Sequence, residues 1–190
     1  MSGQCNISCV AKNYLSEYYC ILEKMVEGMT EAELSDSISG NFIAQMIPHH
    51  KAAIVMSNNI LRFTTLIPLE RIAKNIIAEQ TKSIEKMCNI QCDCNEMCNQ
   101  KSDVCLYQRR MNQIMQTMFA HMRSARCDNN INCNFMREMI PHHMGAVQMS
   151  ENALQYNICP QLTPILRSII VSQKRGINEM QCLMRKIGCR

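Results

Sequence analysis

Tryptophan is absent from the 190-residue sequence, and aromatic residues make up only 5% of it. Apolar residues nevertheless account for 47% of the chain, which is enough to form a hydrophobic core. That core must therefore be built from aliphatic and methionine side chains. No Asn-Gly or Asp-Gly pair occurs, and no stretch alternates cleanly between apolar and polar residues. The sequence thus lacks the signals of β-hairpins and half-buried strands.

Three further absences exclude classes of protein. No apolar run reaches the roughly 18 residues of a membrane-spanning helix, so no membrane span is predicted. The net charge of +4 comes from scattered Lys and Arg residues rather than a basic stripe, so no nucleic-acid partner is expected. The segment Met1–Asn6 has neither the basic nor the apolar region of a secretory signal, which predicts a cytoplasmic protein whose thiols stay reduced.

Methionine and cysteine are the residues present in excess. The chain has 17 Met and 13 Cys, and neither type is normally among the commonest residues of a protein. Both side chains carry soft sulfur ligands, which select ions such as Cu(I) over harder cations. Because the cysteine count is odd, a fully oxidised monomer would keep one free thiol.

The sequence contains an internal repeat with an offset of 93 residues. The segment that begins at Asn41 and reads NFIAQMIPHH returns at Asn134 as NFMREMIPHH. In the first copy the correspondence runs without a gap from Tyr14 to Met87. Most identical positions lie three or four residues apart, which is the spacing of one helical face. This self-similarity predicts two copies of one helical module.

Each copy is predicted to hold three helices. In the first copy they run from about 13 to 34, from about 40 to 63 and from about 68 to 87 or slightly beyond. Pro48 and its equivalent Pro141 fall inside the second helix of each copy. An interior proline removes a backbone hydrogen bond, so a kink or a fresh helix start is expected there.

The short connections between these helices predict an antiparallel bundle. The predicted organisation is a first helical repeat over residues 10–90, a Cys-rich linker over 91–105 and a second repeat over 106–185. Whether the two copies form separate bundles or share one core stays open at this point.

A candidate metal site lies on the second helix of each copy. Met46, His49 and Met56 share one helical face, and Ala53 leaves room between them. His50 points about 100° away from His49 and is a secondary ligand or a residue of the rim. The equivalent residues of the second copy are Met139, His142, His143 and Met149. Neighbouring helices offer further ligands, namely Met25, Met29, Met87, Met118, His121, Met122 and Met180.

Imidazole and thioether ligands together favour a soft ion such as Cu(I). A methionine stripe at helical spacing is more often simply part of a core, because methionine packs adaptably. A pair of histidines nevertheless lies on an apolar stripe in both copies, with methionines at the same offsets, and this repetition favours a metal site.

The string Met-Ile-Pro-His-His, followed by Ala53 and Met56 and then by a helix with Gln80, Ile84 and Met87, resembles the ferritin-like domain-of-unknown-function 305 family. The resemblance covers roughly residues 41–88 and 134–181. It implies an all-α, ferritin-like helical bundle. Some members of that family are exported copper-binding proteins of bacteria, so the resemblance also implies copper binding.

Four cysteines lie close together between the copies, at Cys88, Cys92, Cys94 and Cys98. Two pairs of them are one helical turn apart, so they are a candidate thiolate cluster for Cu(I) or zinc. Their spacing differs from the C-x2-C pairs of zinc ribbons, and disulfides within or between chains are the alternative. The isolated Cys20 and Cys159 are expected to be small buried apolar residues.

No catalytic motif is present: Glu-x-x-His, His-Glu-x-x-His and glycine-rich phosphate loops are all missing, so catalysis is not expected. The leading hypothesis is a protein that sequesters or buffers copper as Cu(I), with one Met/His site per repeat. The second is a Cys-rich structural protein of a bacterial surface or spore coat, self-associated through disulfides. The third is a metal-dependent redox enzyme.

Overall fold

The computed structural model describes residues 7–189, and over that range it is built from helices without a β-strand. This confirms the all-α prediction. The helices are α1 (Cys9–Thr30), α2 (Ile38–Leu61), α3 (Ile67–Asn95), α4 (Lys101–Arg123), α5 (Ile131–Ala153) and α6 (Leu162–Lys186). The segment Met1–Asn6, on which the prediction of a missing secretory signal rests, lies outside the described residues.

The third helix is longer than the repeat predicts. α3 continues past Met87 to Asn95, because no glycine or proline interrupts it and Cys94 extends its buried stripe by two further turns. Since α4 begins at Lys101, only residues 96–100 connect the two copies, instead of the predicted linker over 91–105.

The two interior prolines do not start new helices. α2 runs through Pro48 and α5 runs through Pro141 without a break in helical structure. At Pro48 the ring is packed against α1 at Gly28, where an added Cβ would lie 3.0 Å from the proline Cβ. The absence of a side chain at Gly28 therefore lets α1 approach the proline closely.

The repeated Asn-Phe pair explains how α2 and α5 begin. The side chain of Asn41 accepts from the Ser35 backbone N–H at 2.7 Å and donates to the Ser35 carbonyl at 2.9 Å. Asn134 makes the same two bonds to Asp128, at 3.0 and 2.7 Å. These contacts fix the loop before each helix, and Ser37 and Asn130 cap the helix N-termini.

The helices α2, α3, α6 and α5 pack in a closed ring, each against the next, and form the four-helix centre of the molecule. α1 covers α2, and α4 covers α5. The two copies of the His-His motif therefore lie on helices that contact each other directly. None of the helices described is both long and apolar enough to cross a membrane.

Both repeats contribute to a single hydrophobic core. The hydroxyl of Tyr18 on α1 donates to the Met122 carbonyl on α4 at 2.9 Å, and the Ser39 hydroxyl accepts from the Cys159 backbone N–H at 2.9 Å. Because buried side chains and hydrogen bonds cross between the copies, the repeats fold as one body rather than as two separate bundles.

Candidate metal centre

Nearly every side chain predicted as a metal ligand is buried. The exposed fraction is 3% or less for all of the following: Met25, Met29, Met46, His49, His50, Met56, Met87, Met118, Met122, Met139, His142, His143, Met149 and Met180. His121 differs, because its side chain is exposed on α4. The prediction of His121 as a further ligand thus concerns a side chain on the surface, apart from the buried histidines and methionines.

The two repeats meet at His49 and His142. Their imidazole rings stack with centroids 3.6 Å apart and an interplanar angle of 28°. The Nε2 atom of His49 lies 3.2 Å from the carbonyl oxygen of His142, and the Nε2 atom of His142 lies 3.1 Å from the carbonyl oxygen of His49. The pair is thus related by the approximate two-fold symmetry of the repeat.

This exchange of hydrogen bonds fixes the protonation of both rings. A carbonyl oxygen only accepts, so the Nε2 atom of each ring must carry the hydrogen. In a neutral imidazole the Nδ1 atom then keeps its lone pair. The Nδ1 atoms of His49 and His142 are both buried and have no hydrogen-bond partner. His49 and His142 thus each present a buried nitrogen acceptor without a donor.

Burial keeps these imidazoles neutral. Desolvation lowers the pKa of His142 to about 4, although its bond to the His49 carbonyl acts in the opposite direction. The pKa of His49 also lies well below its usual value, first because of burial and then because of the charges of the neighbouring histidines. A neutral imidazole is the form that binds metal ions, and in metal sites its other N–H commonly donates to a carbonyl.

The second histidine of each motif has a different environment in the two copies. The Nε2 atom of His50 lies 3.1 Å from the Ser83 hydroxyl of α3. In the second copy the equivalent of Ser83 is Gly176, and an added Cβ there would lie 2.9 Å from the His143 ring. The ring of His50 thus has a serine hydroxyl beside it. The ring of His143 has no such partner, because it occupies the space that a side chain at Gly176 would fill.

Among residues 7–189, no group of three or more His, Cys, Asp or Glu side chains is placed to hold a metal ion. That finding concerns these four residue types. Buried methionines occupy the same helices as the histidines, with Met46 and Met56 on α2 and Met139 and Met149 on α5.

A buried acid, Glu138, lies one helical turn before His142 on α5 and was not predicted. The hydroxyl of Tyr14 on α1 donates to Glu138 on α5, so the bond crosses between the repeats. Burial raises the pKa of Glu138 to about 8, while the Tyr14 bond and the charge of Arg137 oppose the rise. In the first copy the equivalent residue is Gln45. A lone charged residue within an apolar stripe was the only signal in the sequence.

The cysteines do not gather into one cluster. The sulfur atoms of Cys94 and Cys159 lie at disulfide distance, as do those of Cys133 and Cys189, with Cα–Cα distances of 5.3 and 5.6 Å. Cys88, Cys92 and Cys98 are exposed and unpaired, so Cys94 is directed away from the three cysteines grouped with it by sequence. Cys159 is buried, as expected, but Cys20 is exposed.

A comparison with known protein families gives one match. The family model described as "Domain of unknown function (DUF305)" matches residues 37–184, which span α2 to α6 and both His-His motifs. The chain is therefore a member of the DUF305 family. No curated protein and no solved structure matches the chain.

Proposed function

We propose that this protein binds and sequesters a soft metal ion, Cu(I), at one Met/His site in each repeat of a ferritin-like bundle. The supporting observation is the pair of unpartnered Nδ1 atoms at His49 and His142. A buried polar atom without a partner costs roughly 1–3 kcal/mol, and a metal ion bound at Nδ1 would remove that cost in both repeats.

The geometry of each ring favours one site per repeat. Nε2 reaches across to the carbonyl of the other repeat, at 3.2 and 3.1 Å. Nδ1 is bonded to Cγ and therefore stays near the helix that carries the histidine. The proposed further ligands are the buried methionines of the same helix, Met46 and Met56 on α2 and Met139 and Met149 on α5.

The chemistry of these donors favours Cu(I). Thioether and imidazole are soft or borderline ligands, whereas Mg²⁺, Ca²⁺ and Mn²⁺ prefer carboxylates and carbonyls. Methionine does not titrate, and the low pKa of His142 keeps its ring neutral to about pH 4. Such a site would keep Cu(I) under acidic conditions in which a thiolate site is protonated.

The test is an anaerobic Cu(I) competition titration on protein whose free thiols have been alkylated. The native chain is expected to bind one ion per repeat. His49→Gln with His142→Gln keeps a donor near the position of Nε2 but removes Nδ1, so binding by the double variant should be lost. Met46→Leu with Met139→Leu should weaken it.

His121→Gln is the matched control, because this histidine is exposed and should not contribute. Circular dichroism establishes that the variants are folded. Unchanged Cu(I) binding by the folded His49→Gln, His142→Gln protein would contradict the proposal, and would assign the metal chemistry to the cysteines.

A structural, cross-linked protein is the second candidate. Among residues 7–189, six cysteines that are free within the chain are exposed, at Cys9, Cys20, Cys88, Cys92, Cys98 and Cys105. Thiols on the outer surface are available for bonds between chains. This function predicts covalent multimers on non-reducing gels that reductant dissolves, and a monomer under both conditions would count against it.

The paired cysteines also bear on the compartment. Disulfides persist in oxidising compartments and are rare in the cytosol. Four cysteines at disulfide distance therefore favour an oxidising location over the reducing cytoplasm expected from sequence. The third hypothesis, a metal-dependent redox enzyme, requires turnover with an oxidant or a reductant. The residues of the candidate site do not indicate which substrate that would be.

A further inference from the structure

Two clefts flank the contact between α3 and α6, and the repeat relates them. The larger has a volume of about 490 Å³ and is bordered by His50. The smaller has a volume of about 20 Å³ and is bordered by His143. Each residue that borders the smaller cleft is the 93-residue equivalent of one that borders the larger. The two repeats thus form two equivalent clefts that differ in volume.

The larger cleft alone has room for an organic molecule. Ligand sites in proteins commonly measure about 300–1,000 Å³, whereas about 10–15 Å³ accommodates a single water molecule. The volume of about 490 Å³ falls in the first range, and the volume of about 20 Å³ is close to the second.

The charges of the two clefts have diverged. The larger cleft is bordered by Lys82, Lys86, Arg167 and Arg175 against Glu79, which makes four positive charges and one negative. The smaller cleft is bordered by Arg175 against Glu79 and Glu179, which makes one positive charge and two negative. Lys86 and Glu179 are equivalent positions, so the first copy has a positive charge where the second has a negative one.

The wall between the clefts holds polar atoms that lack partners. Gln80 borders both clefts and is 1% exposed, yet neither its amide nitrogen nor its amide oxygen has a hydrogen-bond partner. His50, also 1% exposed, has an unpartnered Nδ1 atom beside the larger cleft. A buried amide donor beneath several cations is an arrangement that an anion would satisfy.

We propose that the larger cleft binds a small organic oxyanion, a carboxylate or a phosphate. The anionic group lies between Gln80 and the cations Lys86 and Arg167, and the apolar part of the ligand contacts Ile165 and Ile169. The hydroxyl of Ser83 borders the same space and adds a donor, whereas that of Ser172 already donates to the Ile169 carbonyl at 3.1 Å. A metal cation is not the occupant, because the net positive charge of the cleft repels it.

The test is carried out on metal-free protein and is thus independent of the proposed Cu(I) sites. Protein labelled with ¹⁵N is titrated separately with butyrate and with inorganic phosphate, and the side-chain amide signals of Gln80 are followed by NMR. A saturable shift of these signals is expected. Saturation with butyrate alone assigns a carboxylate ligand, and saturation with phosphate alone assigns a phosphate. No saturable shift with either probe would overturn the proposal.

Variants distinguish the cleft from general attraction of anions. Lys86→Gln with Arg167→Gln should weaken binding of the probe about fivefold, because each exposed ionic contact contributes little by itself. Lys12→Gln with Lys24→Gln removes the same charge from α1, outside the cleft, and is expected to change the affinity less than twofold. Equal loss in both double variants would overturn the proposal.

Gln80→Met provides a readout that a merely structural glutamine would not give. Methionine has a similar size but no hydrogen-bonding groups, so this variant should lose binding of the probe while its melting temperature rises. A fall in melting temperature would show that Gln80 serves the fold, and would count against its role in the cleft.

Discussion

His49 and His142 hold the centre of this molecule together by a reciprocal bond, in which the Nε2–H of each ring donates to the backbone carbonyl of the other residue. The stacked rings leave both Nδ1 atoms buried without a partner. One relationship thus joins the repeats, fixes the tautomers of both rings and creates the nitrogen ligands on which the proposed Cu(I) sites depend.

Acid should destabilise the metal-free protein. Burial lowers the pKa of His142 to about 4 and that of His50 to about 3, and it also lowers the pKa of His49 and His143. Below about pH 6.5 these histidines become protonated in the unfolded chain but stay neutral in the folded chain. The free energy of unfolding therefore falls as the pH falls. The slope approaches about 1.4 kcal/mol per pH unit for each histidine.

Urea unfolding between pH 7 and pH 4 measures this slope. His49→Gln with His142→Gln should reduce it by more than half, because two of the four buried histidines are removed while Glu138, whose raised pKa acts in the opposite direction, remains. His121→Gln should leave it unchanged, because that side chain is exposed. A free energy of unfolding that stays constant from pH 7 to pH 5 would contradict the burial of neutral rings.

Glu138→Gln should stabilise the protein at neutral pH. The pKa of Glu138 is raised to about 8, so the folded state keeps it protonated while the unfolded state ionises it above about pH 4.5. This difference costs stability progressively from pH 4.5 to pH 8, and removing it should add about 3 kcal/mol at pH 7. The gain should vanish near pH 4, as chemical denaturation can show.

The matched control for this substitution is Glu179→Gln, at an exposed position. It is expected to change the free energy of unfolding by less than about 0.5 kcal/mol. Glutamine already occupies the equivalent of Glu138 in the first copy, at Gln45, so the fold tolerates an amide there. A destabilised Glu138→Gln protein would show that the Tyr14 bond outweighs the burial of the acid.

Gly176→Ser should destabilise the second copy, although it introduces the residue that the first copy has at Ser83. An added Cβ would lie 2.9 Å from the rigid ring of His143, so the ring or the helix must shift. We expect a loss of about 1–2 kcal/mol, typical of overpacking. Thermal unfolding measures it, and a higher melting temperature than that of the native chain would contradict the observed packing.

Removing one of the cysteine pairs should lower stability. Cys94 and Cys159 lie 65 residues apart in the sequence, and their bond closes a long loop. Cys94→Ser is expected to reduce the free energy of unfolding by about 2–4 kcal/mol under oxidising conditions. Cys105→Ser, at an exposed free thiol, should have little effect. Equal stability of both variants, or alkylation of Cys94 without reductant, would show that the bond does not form.

The sequence alone predicted the all-α class, the repeat and the family, because helical periodicity and the duplicated Met-Ile-Pro-His-His string are local patterns. The methionines that it placed on helical stripes, such as Met25 and Met29 on α1, are buried, since burial follows the apolar stripe of each helix. The end of α3 could not be found in this way. The matched positions end at Met87, whereas α3 continues to Asn95, two residues further than the equivalent of the last residue of α6, Lys186.

Other properties depend on how the helices pack against each other. Sequence spacing placed Met46, His49 and Met56 on one face, but only the contact between α2 and α5 determines that His49 meets His142. The same packing separates Cys94 from its neighbours in sequence and places it beside Cys159. It also makes two clefts of unequal size and charge from equivalent residues. The physical reason is that spacing along a helix fixes the direction of a side chain relative to its own axis, whereas its partners depend on contacts between residues far apart in the chain.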